Sequence, residues 1–303
     1  MNIAIAVDLS VESHFAVRWA LELRAKARRL GQSVRCWAVC VPSPQEPFEF
    51  QSLAYPNSTK DPGVHRRISH RTRTFLESVD DDVDDVEVVV EEGVPAEILA
   101  RFCLRHNVDW LVTGKSSVGP FARLFLGSTV HDLIDLSPCR LAIVHPEHAR
   151  LDPPLQFAVG IDFLPGSEAA LFSAAELSEL IEARLLLIHA LQDAPTGRLQ
   201  GGLVNYLAGP DPARLTATAR ASLESMMGEL ERQYPNLAYD IMVHGGSPKK
   251  VLQDLIERHH VDIAFVGKVY HSTLERWALG SVARTLVKRM PCTLVLAPPA
   301  PGY

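Results

Sequence analysis

The chain has 303 residues, 47% of them hydrophobic and 22% charged, with a net charge of −6. That length suggests about two domains of ~150 residues, and the mildly acidic balance offers no basic face for DNA or RNA. No stretch approaches the ~20 apolar residues of a membrane span, and the opening "MNIAIAVDLS" lacks the basic start and apolar core of a signal peptide. Five cysteines, an odd number without CxxC spacing, point to reduced thiols in a cytoplasmic protein. Cys36 and Cys40 fall on one face of a predicted strand and read as packing residues.

In chain order, "IAIAVD" is a β-branched run ending in a turn, and Val11 to Leu30 carries an apolar stripe at helical spacing. "VRCWAVCV" is the second strand. A Pro-rich segment from Pro42 to Pro62 follows, then a polar helix and the acidic "DDDVDD", which reads as a solvated loop rather than a metal cluster. "VEVVV" is the third strand, and Pro95 suits the first position of the next helix. "WLVTG" and "LAIVH" are strands four and five. The same order returns with "FAVGID", "RLLLIHA", "LAYDIMVH", "IAFVG" and "TLVLA". Continuous apolar strands separated by helices predict an α/β fold, a doubly wound parallel sheet covered on both faces.

That return is an internal repeat. Gly93 and Gly246, Pro95 and Pro248, His106 and His259, and Asp109 and Asp262 are all 153 residues apart. The same offset relates Gly114 to Gly267, Lys115 to Lys268, Arg123 to Arg276, and Pro138-Cys139 to Pro291-Cys292. The Gly127-Ser128 and Gly280-Ser281 pairs follow suit, and Asp8 answers to Asp162. The chain is therefore read as two copies of one domain, 1–147 and 157–299, joined by the charged, Pro-rich linker 148–156.

In an open doubly wound sheet, ligands sit beyond the carboxyl ends of the strands, where strand order reverses. The residues predicted to meet there are Asp8 with the 114–128 loop, and Asp162 with the 267–281 loop. A helix opening at Ser128 offers free N–H groups and a positive dipole end to a phosphate, and Lys115 and Arg123 would add charge. The alternative is local: Gly127 permits a tight turn and Ser128 caps its own helix. The twelve histidines form no HExxH or comparable metal spacing. No GxSxG elbow or P-loop appears, and His259-His260 reads as a solvated or capping pair. Without a general base or a metal site, rapid enzymatic turnover is not expected.

Both halves resemble universal stress protein domains, and the chain resembles the tandem form of that family. Nucleotide-binding members carry Gly, two residues, Gly, nine residues, then Gly-Ser or Gly-Thr after the fourth strand. Here Gly114 and Gly267 match the first glycine, and Gly127-Ser128 and Gly280-Ser281 match the closing pair. The second glycine is replaced by Ser117 in one half and Tyr270 in the other. Serine is small and can donate a hydrogen bond, whereas tyrosine is bulky and poorly suited to positive φ, which favours the first half as the binding half.

The resemblance implies a Rossmann-like, five-stranded sheet of order 3-2-1-4-5 in each half. The final strands would pair across a two-fold axis into an intramolecular pseudo-dimer. It also implies ATP or AMP as ligand, with no metal beyond magnesium accompanying the nucleotide. Asp8 and Asp162 would meet the nucleoside, with Val41 and Ala190 bordering the adenine, and the two-domain chain would form a homodimer. The other reading is a stress-associated interaction protein without nucleotide, or one taking another small, apolar ligand. A related class of ATP-using α/β enzymes carries a Ser-Gly-Gly loop after the first strand, which "DLSVES" and "DFLPGSE" lack.

Overall fold

Alternation along each strand decides how this molecule is layered. The computed structural model describes residues 1–42, 62–115, 127–191, 211–271, 276–289 and 291–298. Ser117, Arg123 and nearly all of the inserts at 42–62 and 193–212 lie outside that set.

The first half runs β1 (Asn2–Ala6), α1 (Val11–Arg29), β2 (Arg35–Cys40), α2 (Pro62–Glu77) and β3 (Val86–Val90). It continues with α3 (Pro95–His106), β4 (Trp110–Gly114), α4 (Ser128–Leu136) and β5 (Arg140–Val144). After a 3-10 turn at Pro146–His148 come β6 (Leu155–Gly160), α5 (Pro165–Ile181), β7 (Ala183–Leu191), α6 (Pro212–Gln233) and β8 (Ala238–Gly245). The chain then forms α7 (Pro248–Arg258), β9 (Ile263–His271), β10 (Arg276–Leu279), α8 (Ser281–Arg289) and β11 (Thr293–Ala297).

Successive strand side chains point to opposite faces, and here both faces are covered. Ile3, Ile5, Trp110 and Val112 join one apolar core with α1, while Ala4 and Leu111 join another with α3 and α4. The second half repeats this, with Phe157, Val159 and Phe265 on the α5 side and Ala158, Ala264 and Val266 on the α7 and α8 side. Double coverage is why these strands read as unbroken hydrophobic runs. Cys36 and Cys40 are buried thiols on the α1–α2 side, as packing residues should be.

Each half has the order 3-2-1-4-5, and the two fifth strands meet. Leu141 lies opposite Leu296, Ala142 opposite Val295 and Ile143 opposite Leu294, antiparallel. The result is one sheet in the order β3-β2-β1-β4-β5-β11-β9-β6-β7-β8, with β10 paired to β9. The intramolecular pseudo-dimer is therefore present, and the second half carries a sixth strand that the repeat did not predict. A strand edge left open is a template for unwanted pairing; here each half closes the other's edge.

Side chains lock the seam. The Arg140 guanidinium on β5 donates to Ser173 Oγ at 3.1 Å and pairs with Glu176, both on α5. Thr293 Oγ1 donates to His148 O at 2.9 Å and accepts from His145 N at 3.1 Å. Lys268, with 0% of its surface exposed, sends Nζ across the seam to Ser137 O at 2.8 Å, at the carboxyl end of α4. A cation suits the negative end of a helix, but burial pushes the Lys268 amine down to about 8.

The acidic "DDDVDD" segment holds an arginine rather than only water. Asp82 lies 3.1 Å from the guanidinium of buried Arg24, and Asp85 pairs with both Arg24 and Arg28. His259 is the C-cap residue of α7, and His260 after it has φ +48°, the conformation that Asn107 takes at the end of α3.

Two glycines govern how closely a helix can approach the sheet. A Cβ on Gly114 would lie 2.3 Å from the carbonyl oxygen of Glu12 in the first turn of α1. A Cβ on Gly267 would lie 2.0 Å from the carbonyl carbon and oxygen of Gly166 in α5. Neither glycine has positive φ; each makes room for a helix backbone.

Two outcomes follow. Gly267→Ala should destabilise the protein by about 3 kcal/mol, because the obstruction is backbone. Gly280→Ala, where nothing lies within 4 Å, should stay within about 1 kcal/mol; urea unfolding compares them. The second concerns Lys268. Below about pH 8 the folded protein must hold a buried ammonium that the unfolded chain hydrates. Above that pH the folded form sheds the proton first, so stability from this residue rises until the ordinary lysine value near 10.5 is passed. The stability difference between wild type and Lys268→Met should shift toward wild type by on the order of 3 kcal/mol across that window. A pH-independent difference in urea midpoints would exclude the buried amine.

Candidate functional site

The carboxyl end of β6 shows how the local sequence builds a crevice. Ile161 N is tied to Ile188 O at 2.9 Å, keeping β6 and β7 together to their ends. The chain then reverses through Phe163, which holds φ +60°. A bulky residue in the left-handed region is an uncommon conformation that its surroundings must enforce. The enforcing bonds are visible: Leu164 N donates to Asp162 Oδ1 at 3.0 Å, and Asp162 N to Ser167 Oγ at 3.2 Å. The Ser167 hydroxyl in turn donates to Leu164 O at 3.0 Å. Asp162 stays exposed, with one carboxylate oxygen in this turn.

Around that turn lies a cavity of about 220 Å³. Asp162 and Ser167 form one side, with Val266 and Gly267 from the end of β9. Leu252 on α7 and Val282 on α8 supply apolar walls, and Gly280 stands at the α8 N-terminus. Ala190 borders the cavity beside His189. Gly160 also lines it; a Cβ there would meet Leu252 Cδ2 at 2.7 Å, the end of a side chain that can turn aside. The predicted members Asp162, Ala190, Gly267 and Gly280 are thus brought together. Ser281 follows Gly280 as the first residue of α8.

The first half repeats the turn with heavier anchoring. Asp8 Oδ1 accepts from Ser10 N at 3.0 Å and from the hydroxyls of Ser10 and Ser13, and Leu9 has φ +62°. Val7 N bonds Val39 O at 3.0 Å, and Val41 is buried at the end of β2. Gly127 is the N-cap residue of α4, extended at φ −60° and ψ 154°, with no side-chain cap bond. Ser128 is the first helical residue, so the expectation that its hydroxyl caps the helix is corrected. Among the described residues no side-chain cap is seen on the α4 N–H groups, which suits an anion site.

Two further expectations change. Lys115 is buried, at 8% exposure, and burial lowers its pKa. It adjoins His145, whose pKa burial and the Lys115 charge push down to about 4. Lys115 is thus largely buried where its backbone N–H donates to Val144 O on β5 at 3.1 Å, and its counterpart Lys268 is spent on Ser137 O. The predicted 267–281 phosphate loop is instead largely a hairpin, with Lys268 opposite Leu279, Val269 opposite Ala278, Tyr270 opposite Trp277 and His271 opposite Arg276. Val269, Tyr270 and Trp277 favour strand and no glycine interrupts them. The hairpin main chain lies against α4 of the other half.

His189 was missed by sequence reasoning. Its signal was a polar residue ending the otherwise apolar "RLLLIHA" next to Ala190. Its Nδ1 lies 2.8 Å from Ile161 O, which can only accept, so Nδ1 carries a proton. Phe163 packs on the ring, centroids 4.8 Å apart. Elsewhere, His145, Glu147 and His148 bring potential ligand atoms within 4.8 Å of one another. Both rings already serve the turn between the halves: Glu147 N donates to His145 Nδ1 at 3.3 Å, and His148 Nδ1 lies 3.2 Å from Asp262 Oδ1.

Known proteins agree with this architecture. A universal stress protein of Mycobacterium tuberculosis is 24% identical over 213 residues, 70% of this chain and 68% of its own. The crystal structure of a universal stress protein from Archaeoglobus fulgidus superposes with a TM-score of 0.69 at 16% identity, covering 99% of this chain and 98% of that one. A putative universal stress protein from Pseudomonas aeruginosa gives 0.59 at 12% identity, covering 98% and 93%. The profile of the universal stress protein family matches twice, over residues 1–145 and 156–298. With two family domains fused through one sheet, the chain belongs to the universal stress protein family in its tandem form.

Proposed function

We propose that this protein is a stress-response regulator that binds an adenine nucleotide, ATP or AMP, in at least one half. The observation that carries the reading is the meeting of exposed Asp162, an apolar-walled cavity and the N-terminus of α8 at the carboxyl ends of parallel strands. A carboxylate suits ribose hydroxyls, apolar walls suit a flat base, and helix N–H groups suit a phosphate. Asp8, Val41 and Gly127 supply the same chemistry in the first half. The reading is of a binding protein rather than an enzyme, acting in the cytoplasm and associating as a homodimer. The apolar walls from Leu252, Val266 and Val282 also favour a second reading, a small apolar ligand in place of nucleotide.

Heating the purified protein until it unfolds should release adenine nucleotide detectable by chromatography. In calorimetric titration with ATP and AMP, Gly127→Val or Gly280→Val should weaken binding at its own half by about tenfold or more. The fold should persist in Gly280→Val, because that position faces open space. Folded wild type that neither carries nor binds an adenine nucleotide would leave the apolar-ligand reading.

A further inference from the structure

We infer that the second-half cavity selects an uncharged purine nucleoside, such as adenosine, over its triphosphate. This rests on the proposed adenine site and specifies which form of ligand that half takes.

Charge is the first ground. Among the described residues lining the cavity, Asp162 is the one acid and there is no lysine or arginine. A triphosphate carrying about four negative charges would meet a carboxylate and only the partial positive charge, roughly half a unit, of one helix end. Lys268, which directly follows Gly267, is withdrawn: it is fully buried and donates to Ser137 O in the other half. Arg276 is carried off by the hairpin, its main chain three rungs from Leu279, or about 10 Å along the strand.

The backbone gives the second ground. Phosphate cradles are made of consecutive N–H groups in an open loop. Here residues 268–271 and 276–279 are paired with one another as an antiparallel ladder, so that stretch cannot wrap a phosphate chain. Among the described residues, what remains beside Gly280 is the first turn of α8.

The nucleoside part, by contrast, is complete. Asp162 uses Oδ1 in its own turn, and Oδ2 has no partner among the described residues, leaving an acceptor for a ribose hydroxyl. Leu252, Val266 and Val282 give flat apolar contact. With Nδ1–H committed to Ile161 O, Nε2 of His189 is the ring nitrogen left to face the cavity, an acceptor for an exocyclic amine whenever the ring carries a single proton. The volume of about 220 Å³ falls below the ~300–1,000 Å³ of sites for larger ligands, which suits a base and sugar without a polyphosphate tail.

The test is calorimetric titration of the full chain with adenosine, AMP and ATP, using wild type and Ala190→Trp, which fills this cavity and leaves the first half intact. Adenosine should bind one site that Ala190→Trp abolishes, and ATP should bind that site at least about tenfold more weakly. Adenosine affinity should be unchanged between low and physiological salt, because the ligand is uncharged. If Ala190→Trp does not fold, Asp162→Ala at an exposed position should weaken adenosine at the same site. ATP binding as tightly as adenosine at the Ala190→Trp-sensitive site would overturn the inference while leaving nucleotide binding intact. So would ATP binding solely at a site insensitive to Ala190→Trp, with no adenosine bound. Binding of none of the three ligands would bring down this inference together with the adenine reading.

Discussion

The antiparallel pairing of β5 with β11 is the constraint on which the rest depends. A parallel five-stranded sheet with helices on both faces still ends in an open edge of N–H and C=O groups. In this chain each half presents that edge to the other, and the side chains on both sides of it are apolar and buried. Two repeats thereby become one continuous sheet. The contacts of Arg140 with α5 and of Thr293 with the 3-10 turn flank that register.

The seam also draws on residues that would otherwise belong to the binding loops. Lys268 follows immediately on the glycine that admits α5 against the sheet, yet its amine ends on the carboxyl terminus of α4. The hairpin beyond it lies against the same helix. The stretch that the sequence offered as a phosphate loop in the second half is thus engaged with the other half. The cost is a buried ammonium whose proton is held less firmly than in water.

The glycines of the motif divide along the same line. Gly114 and Gly267 answer to a helix backbone only 2.3 and 2.0 Å from where a Cβ would stand, a packing demand present with or without ligand. Gly280 faces open space and Gly127 stands as an N-cap without a side-chain bond. At Gly280 no packing neighbour accounts for the glycine. The left-handed Leu9 and Phe163 after the two aspartates point the same way, since bulky residues hold that conformation only where neighbouring bonds enforce it.

Repeat, family, and the order of strands and helices apart from β10 were legible in the residues alone. These rest on local physics: apolar runs long enough for buried strands, prolines at helix starts, and a constant spacing of glycines and aspartates. The residues also pointed to Asp162, Gly267 and Gly280 as neighbours, because loops at the carboxyl ends of parallel strands must converge, and the family resemblance added Ala190. Where long side chains go, and what the motif glycines make room for, emerged with the folded molecule. Lys115 and Lys268 look alike in sequence to phosphate-binding lysines, but burial and a helix end across the seam set their use. His189 reads as one polar residue at a strand end until the β6 turn brings Ile161 O and Phe163 to its ring. Strand propensity in "KVYH" and "RWAL" was present all along, but a β-hairpin forms only when its two arms pair, and pairing is a property of the folded chain.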